Sequence, residues 1–235
     1  MIFRWKNPEE CYEKGLLTGD DTGGLDLRFG NAEAMVTLLE QIARREGFGD
    51  FVAEGCKRMS EKIGQGSEAF AVHTKGQEVP MHDPRARGTE LSMNYVMSPT
   101  GADHVHTSLW SIFKNCATMC VMPWYEDDKL RAVVDGVTGW GMTVAELEKV
   151  GERALDMARV FNAREGLTAK DDQTAPRFLT GFSFGPREGQ RLDPDQLKEL
   201  KQKYYEQMGW DPVQGVPTPA RLEALGIGWV ADALR

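Results

Sequence analysis

The chain has 235 residues, 41% of them apolar, with 28 basic and 36 acidic side chains and a formal net charge of −8. This length buries one large core or two small ones, and the acidic balance lacks the basic surface that binds nucleic acid. No apolar run approaches the roughly 20 residues of a bilayer span, and the first residues lack the h-region of a signal peptide. We therefore expect a cytoplasmic protein without nucleic acid or membrane as a partner.

The first predicted elements form a short-looped helical hairpin. Asn31 is a candidate N-cap, and the apolar residues that follow it recur at helical spacing up to a candidate C-terminal cap at Gly47. A second helix is predicted directly afterwards and ends at Gly64. Its periodic residues are Val52, Cys56, Met59 and Ile63.

The middle of the chain is less regular. Residues 66–90 contain a brief alternating stretch followed by Pro80, Pro84 and Gly88, which predicts a long ordered loop. Residues 89–113 regain large apolar side chains, which indicates buried helical segments interrupted by Pro99 and Gly101.

Three capped helices are predicted toward the C-terminus. Residues 143–166 carry one apolar stripe behind a capping box of Thr143 and Glu146. Asp193 begins a helix that runs to Met208, and Thr218 with Pro219 begins the last one. With no βαβ alternation or internal repeat, these patterns predict an all-α, multihelical fold. We expect two packed helical subdomains, residues 1–122 and 123–235.

Two cysteines stand out among four. A chain of this size needs no disulfide bonds, and Cys56 fits buried apolar packing. Cys116 and Cys120 are four positions apart, so on a helix both thiols would share one face, either at one metal centre or side by side in the core. A cubane iron-sulfur cluster needs about four thiolates, of which this pair supplies two at most.

The segment between Pro99 and Pro123 also contains two of the four histidines, His104 and His106. An imidazole here can carry a proton near pH 7, although histidines beside Gly and Asp also occur in plain turns. For the HDPR run at residues 82–85 we favour a structural interpretation. Asp83 would accept backbone N–H groups, and Arg85 would reach a carbonyl or a carboxylate.

Several long motifs, taken together and in order, resemble the C-terminal region of the aldehyde:ferredoxin oxidoreductase family. They are EECYEKGLLTGDDTGGLDLRFGN, IARREGFGDFVAEG, AFAVHTKGQEVPMHDPR, SPTGADH, VGERALDMARVFNAREG and YYEQMGWDPVQGVPTPARLEALG. The family's members are bis-pterin tungsten enzymes with one [4Fe-4S] cluster, in which a β-rich pterin-binding domain precedes two helical domains. The resemblance covers the helical domains. It does not make the DTGGLD run a pterin motif, since LRFGN after it matches a later family segment.

The resemblance implies roles for residues 115–121. In the family a D-x-x-G-L-C motif binds pterin and ends in the cysteine that completes the cluster, and the matching run here is NCATMC. It implies that Cys120 is a cluster ligand, with Cys116 as a candidate second thiolate. Asn115 stands in the place of the pterin-binding Asp, Thr118 and Met119 replace Gly and Leu, and Val121 begins the apolar continuation. Asn115, Met119 and Val121 are thus candidate cofactor-binding residues.

The resemblance also makes His104 the active-site histidine, placed to move a proton or to hydrogen-bond the substrate oxygen. In the family an Arg four residues earlier and a Lys two residues later contact the pterin. Thr100 and His106 hold those positions here and become candidate cofactor contacts. The loss of two cations indicates a divergent subgroup.

The resemblance implies an oxidoreductase that oxidises aldehydes, or a related carbonyl substrate, to acids and passes electrons through the cluster to ferredoxin. The alternative is a non-catalytic helical module that binds cofactor only with a separate N-terminal chain. A cofactor-free helical scaffold fits the composition but leaves the motifs unexplained. We expect the N-terminal portion of the enzyme, in the same or another chain, to supply most cofactor ligands, and the isolated chain to be inactive. The sequence leaves open whether the metal is tungsten or molybdenum and whether the protein forms a homodimer.

Overall fold

The computed structural model describes residues 2–105 and 108–234, with side chains described from Asn7 onward, and it is mainly helical. A short antiparallel hairpin, β1 (His73–Thr74) and β2 (Gln77–Glu78), pairs His73 with Glu78. The helices are α1 (Ile2–Glu13), α2 (Ala32–Arg44), α3 (Gly47–Ala53), α4 (Cys56–Ile63), α5 (Pro84–Arg87), α6 (Thr89–Met97), α7 (Leu109–Cys116), α8 (Asp127–Thr138), α9 (Val144–Arg164), α10 (Pro194–Met208) and α11 (Pro219–Ala224), with 3-10 turns at Ser67–Phe70, Pro176–Leu179 and Gly228–Leu234. The predicted all-α, multihelical fold is confirmed. Within the described ranges, no helix is both long and apolar enough to cross a membrane.

The chain divides into two compact units whose segments alternate along the sequence. The first unit consists of Met1–Val96, Thr100–Asp103 and Gln173–Leu197. The second consists of Met97–Pro99, His104–Asp172 and Lys198–Arg235. The division expected from the sequence, residues 1–122 and 123–235, has a single boundary along the chain. It stays a prediction about domains.

Each unit has its own buried apolar clusters. In the first unit, one cluster gathers Leu38, Val52 and Met59 from α2, α3 and α4, and another is built around Val79, Tyr95 and Phe178. In the second unit, α7, α8 and α9 share a cluster of Phe113, Leu130, Val134 and Leu147. A further cluster joins Val160 of α9 to Leu222, Leu225, Ile227 and Val230. Helix α9 therefore carries apolar packing along most of its length.

The predicted helix starts are confirmed by their hydrogen bonds. Asn31 caps α2 by accepting the Ala34 N–H at 3.2 Å, and Asp193 accepts the backbone N–H groups of Asp195 and Gln196 before α10. Thr143 and Glu146 form the reciprocal capping box of α9, and the Thr218 hydroxyl caps α11. These caps connect residues no more than three positions apart, which is why spacing alone located them.

The predicted cap at Gly47 was wrong. Helix α2 ends at Arg44 and its C-cap is Arg45, which has the left-handed backbone with φ of 57°, while Gly47 begins α3. The Arg45 guanidinium pairs with Asp50 at 2.7 Å and with Glu54 at 2.5 Å. These ion pairs help to hold a non-glycine residue in a conformation that otherwise favours glycine.

The single helix predicted after Gly47 was also wrong, because it is broken into α3 and α4. Gly55 has φ of 92° at the break. The carboxylate of Glu78, on the β-hairpin, accepts the N–H of Cys56 at 2.9 Å and so satisfies the first turn of α4. The predicted stop at Gly64 is confirmed, since its N–H donates to Ser60 O at 2.8 Å.

The start and the middle of the chain contain regular elements beyond those that the sequence predicts. Helices α1 and α8 were not predicted. The long loop of residues 66–90 contains the β-hairpin and the one-turn helix α5, for which Asp83 is the N-cap and Pro84 the first residue. Helix α6 and helix α7 confirm the buried helical segments on either side of Pro99 and Gly101.

Candidate functional site

The candidate site is built on α7 in the second unit. Ser108 caps the helix by accepting the Ser111 N–H at 3.1 Å, while the Ser111 hydroxyl accepts the Ser108 N–H at 3.2 Å. Ile112 and Phe113 bury one face of the helix, with the Trp110 ring edge-on to Phe113 at 6.1 Å. The capped start and the buried face hold α7 in place against α8 and α9.

The end of α7 separates the two cysteines. Cys116 is the last helical residue, and Cys120 lies in the segment that follows, so the two thiols do not share a helix face as they would on a continuous helix. Thr118 between them has φ of 55°, and the Met119 N–H closes the helix end by donating to Lys114 O at 2.8 Å. The family motif has glycine at the position of Thr118, which suits a left-handed backbone.

A cavity of about 320 Å³ lies in this unit beside α7. His104 lines it together with Val121 and Met122, the two residues that follow Cys120. The other lining residues are Val105, Ser108, Trp110, Ser111, Lys114, Trp124, Tyr125, Asp127 and Leu130. The fold thus brings the candidate histidine and the segment after the candidate cluster cysteine to one cavity.

The cavity has an open, largely aromatic edge. His104 is exposed, and Met122 and Trp124 are 75% and 80% exposed although both line the cavity. Large apolar side chains are costly to leave in water, and a concentration of them at a cavity edge is typical of binding surfaces. This edge has the character of a surface that another molecule or polypeptide covers.

Lys114 is a buried charged residue that the sequence analysis missed. Its side chain reaches from α7 to the segment after Cys120, where Nζ donates to Pro123 O at 2.7 Å and more weakly to Val121 O at 3.4 Å. Nζ also lies 5.6 Å from the centre of the Tyr125 ring. The sequence signal for this residue was its position, because Lys114 directly follows the buried pair Ile112 and Phe113 in the last turn of the helix.

The remaining sequence candidates are spread over both units. Asn115 is exposed on the last turn of α7, Val121 is half-buried, and Met119 packs partly against the cluster of Phe113 and Leu130. Thr100 is exposed and belongs to the first unit, where its hydroxyl lies 3.5 Å from an Asp103 carboxylate oxygen. His106 lies outside the described residues.

The thiols fit part of an iron-sulfur site. Both Cys116 and Cys120 are free and exposed, so both thiols are accessible to a metal centre. Among the side chains that the structure describes, no three His, Cys, Asp or Glu residues are grouped to hold a metal ion. The donor set therefore fits an edge of a cluster site, with further thiolates required from elsewhere.

The HDPR run is a structural element of the first unit. Asp83 Oδ1 accepts the backbone N–H of Arg85 at 2.9 Å, and Asp83 Oδ2 pairs with Arg85 Nη2 at 2.7 Å. Arg85 Nη1 also donates to Thr180 O at 3.0 Å, and the guanidinium lies 3.9 Å from the centre of the Phe182 ring. The predicted contacts of Asp83 and Arg85 are confirmed.

Comparisons with known proteins agree on the family. The family model described as aldehyde ferredoxin oxidoreductase, domains 2 and 3, matches residues 9–115 and 106–227. The tungsten-containing aldehyde ferredoxin oxidoreductase of Pyrococcus furiosus is 31% identical over 93% of this chain and 41% of its own length. An aliphatic sulfonate oxidoreductase, WOR-like subunit, of the same organism is 30% identical over 93% of this chain and 38% of its own.

A solved structure has the same fold. The active-site complex BamBC of benzoyl coenzyme A reductase, with 1,5-dienoyl-CoA, superimposes with a TM-score of 0.70 at 22% identity, over 97% of this chain and 44% of that one. The chain thus spans about two-fifths of the length of the curated relatives it matches, 41% for the P. furiosus enzyme. It belongs to the aldehyde ferredoxin oxidoreductase family and matches the family's domains 2 and 3.

Proposed function

We propose that this chain supplies the helical wall of the active site in a tungsten-pterin, iron-sulfur oxidoreductase that oxidises aldehydes or related carbonyl substrates to acids. The observation that carries the proposal is the cavity shared by His104 and the residues that follow Cys120. Family membership indicates the chemistry of the site, and two of the candidate site residues, His104 and Val121, line the same cavity.

His104 is the proton carrier in this proposal. Its imidazole is exposed at a cavity of a size suited to a small molecule. Oxidation of an aldehyde to an acid releases protons, and an imidazole can accept one from the reacting oxygen and return it to solvent. Trp110 and Tyr125 supply apolar surface to the cavity, and Trp124 would help to exclude water once further polypeptide covers it.

Cys120 is the proposed cluster ligand, and Cys116 is the candidate second thiolate. The bound pterin metal supplies two-electron oxidation chemistry, and the cluster supplies a path for single electrons. The chain's own part is to hold the Cys120 thiolate at the end of α7, close to the cavity that His104 lines. Electrons would leave to ferredoxin, the acceptor in the names of several relatives.

The pterin contacts are proposed for residues around α7 and the preceding loop. Asn115 on the last turn of the helix offers an amide donor and acceptor in place of a carboxylate. Met119 and Val121 offer apolar contact beside Cys120. Thr100 and His106 are proposed contacts in place of the two family cations, which favours a changed set of interactions with the pterin phosphates.

The proposal includes further polypeptide at the open edge of the cavity. Two thiols are fewer than a cubane cluster requires, and Met122 and Trp124 are largely exposed at the cavity. Polypeptide corresponding to the rest of the relatives' length, in the same or a separate chain, would complete the ligand set and cover these side chains. The substrate is proposed as a small carbonyl compound, since the names of several relatives specify aldehydes.

Metal analysis tests this function. The protein is purified from cells that produce it, with any polypeptide that co-purifies, and tungsten, molybdenum, iron and pterin are quantified. We expect tungsten or molybdenum with pterin and cluster iron, and a reduced sample with an iron-sulfur EPR signal. His104→Gln should retain these cofactors and lower kcat by about 10²- to 10⁴-fold, the usual contribution of a positioned acid or base.

The two cysteines provide matched variants. Cys120→Ser should lower the iron content or change the EPR signal, whereas Cys116→Ser does so only if Cys116 is the second ligand. Both cysteines are exposed near the C-terminal end of α7, so neither substitution removes a buried side chain. Normal iron and an unchanged EPR signal in the Cys120→Ser protein would refute the assignment.

A further inference from the structure

Lys114 contacts the chain on both sides of Cys120. Its backbone carbonyl accepts the N–H of Met119 at 2.8 Å, and its ammonium donates to the carbonyls of Val121 and Pro123, the latter at 2.7 Å. The residues immediately before and after the cysteine are therefore both bonded to one helical residue. Cys120 itself is exposed between these two points.

The two kinds of contact differ in what they require of residue 114. The bond from Met119 uses the backbone carbonyl, so any residue at this position can accept it. The bonds to Val121 and Pro123 need a long side chain with several N–H donors. Only the second kind depends on the side chain of residue 114, and it restrains the segment on the C-terminal side of the cysteine.

The burial of this lysine makes the contact informative. The Lys114 residue is 6% exposed, although lysine is rarely buried unless its charge is satisfied. A methionine of similar length would fill a buried helical position without the cost of desolvating a charge. Two backbone carbonyls and the face of the Tyr125 ring satisfy the charge instead.

We propose that Lys114 is a positioning residue for Cys120, which fixes the direction of an otherwise exposed thiol by tying the following segment to α7. Its importance for cluster ligation depends on the proposed function, whereas the restraint on Cys120 does not. A ligand that is held before its metal binds loses less conformational freedom on binding, which is the advantage of such an arrangement.

Spin labelling measures the restraint directly. A nitroxide is attached to Cys120 in the Cys116→Ser protein, and a second sample carries it on Cys116 in the Cys120→Ser protein. Cys11 and Cys56 are buried and are protected from the reagent in the folded protein. With Lys114 in place, we expect a more immobilised EPR spectrum from Cys120 than from Cys116, although both are exposed.

The variant Lys114→Met removes the donors and keeps the length and the helix. The immobilised component of the Cys120 spectrum should be lost, while the Cys116 spectrum stays unchanged. Lys114→Arg, which keeps a charged donor, should restore part of the immobilised component. Circular dichroism and the thermal unfolding midpoint establish that each variant is folded.

Three results would overturn the proposal. The first is equal mobility of the nitroxide labels on Cys116 and Cys120 in proteins that keep Lys114. This comparison does not depend on whether a variant at position 114 folds. The second is an unchanged Cys120 spectrum in Lys114→Met. The third is an equal rise in mobility at both cysteines, which shows that Lys114 stabilises the unit without positioning Cys120. The two proposals can fail separately. If the label on Cys120 is immobilised but the Cys120→Ser variant keeps its cluster iron, only the proposed function is refuted.

Discussion

Arg159 and Asp172 form a bidentate ion pair in the second unit, with Nη1 to Oδ1 at 2.9 Å and Nη2 to Oδ2 at 2.5 Å. The two side chains are 4% and 0% exposed. Arg159 Nε also donates to Gly215 O at 2.6 Å, and the Tyr205 hydroxyl donates to Asp172 Oδ2 at 2.5 Å. The pair thus joins α9 and α10 to the loop between α10 and α11.

Replacing one member of this pair is expected to be costly. Arg159→Met leaves the Asp172 carboxylate buried without its guanidinium partner, and breaking a buried ion pair in this way costs about 3–5 kcal/mol. Urea unfolding followed by circular dichroism measures the change in the free energy of unfolding. Since the methionine keeps much of the side-chain volume, the loss should come mainly from the uncompensated charge.

An exposed pair on α10 is the control. Lys203 and Glu199 are 2.6 Å apart, with side chains 58% and 65% exposed, so Lys203→Met should change stability by less than about 1 kcal/mol. The double variant Arg159→Met with Asp172→Leu should recover part of the loss, because no buried charge remains. Equal effects of Arg159→Met and Lys203→Met would contradict this account.

The contact of α9 with α7 depends on a glycine. A Cβ at Gly151 would lie 2.6 Å from the carbonyl oxygen of Leu109 at the start of α7. Gly151→Ala should therefore destabilise the protein by about 1–3 kcal/mol through overpacking, even though alanine is the better helix former. The free energy of unfolding from urea titration checks the prediction.

Gly136 in α8 is the matched glycine. A Cβ there meets nothing within 4 Å, and the residue lies inside the helix without a positive φ. Gly136→Ala should stabilise the protein by up to about 1 kcal/mol, the difference in helix propensity. Stabilisation by both alanines would mean that α7 does not approach α9 as closely as the structure has it.

Stability in the first unit should depend on pH through His73. Burial, reinforced by the charge of Lys57, lowers the pKa of His73 below its ordinary value of 6.5. The neutral ring also accepts the Gly76 N–H at Nδ1, 3.3 Å away. As the pH falls, His73 is therefore protonated at a higher pH in the unfolded chain than in the folded one. The contribution of neutral His73 to stability is fully present above pH 6.5 and is lost as the pH falls through the lowered pKa of the folded protein.

The urea midpoint measured between pH about 7.5 and 5 tests this direction. His73→Gln keeps a hydrogen-bond acceptor and removes the titration, so the variant's stability should fall less over this range than that of the unchanged protein. The difference between the two curves isolates His73 from the other histidines. Parallel curves would show that His73 has the same pKa folded and unfolded.

The four cysteines should fall into two classes of reactivity. Cys11 is buried, and that burial, with the charge of Glu10, raises the pKa of its thiol to about 11. At pH 8 such a thiol has a thiolate fraction of about one in a thousand, roughly a hundredfold below that of a thiol with the ordinary value of 9.0. Iodoacetamide should modify the exposed Cys116 and Cys120 first and leave Cys11 and the buried Cys56 protected.

Mass spectrometry of the peptides identifies the modified positions. The same reaction in concentrated urea is the control, since unfolding should make all four cysteines reactive. Modification of Cys11 at the rate of Cys120 in the folded protein would contradict its burial. It would also weaken the selectivity that labelling of Cys120 requires.

Local sequence patterns were sufficient for the helix boundaries that short-range bonds create. The capping box of Thr143 and Glu146 and the caps at Asn31, Asp193 and Thr218 all connect residues within three positions. The Asp83 and Arg85 pairing was predictable for the same reason. Longer motifs identified the family and, through it, His104 and Cys120 as candidates.

Tertiary contacts decided the features that spacing could not predict. Glu78 of the β-hairpin caps α4 and so divides a periodic apolar stretch into two helices. Ion pairs link Arg45, the C-cap of α2, to Asp50 of α3 and to Glu54. The bonds from Lys114 to Val121 and Pro123 depend on how the chain turns after Thr118.

The sequence by itself determined the all-α class, the starts of α2, α9, α10 and α11, and the family, because caps and amphipathic periodicity act within one or two turns. Only the tertiary structure decided that His104 and the residues after Cys120 line one cavity and that a buried lysine ties down the segment following that cysteine. The physical reason is that a buried charge or a shared cavity depends on groups brought together by packing, which composition and spacing along the chain do not specify.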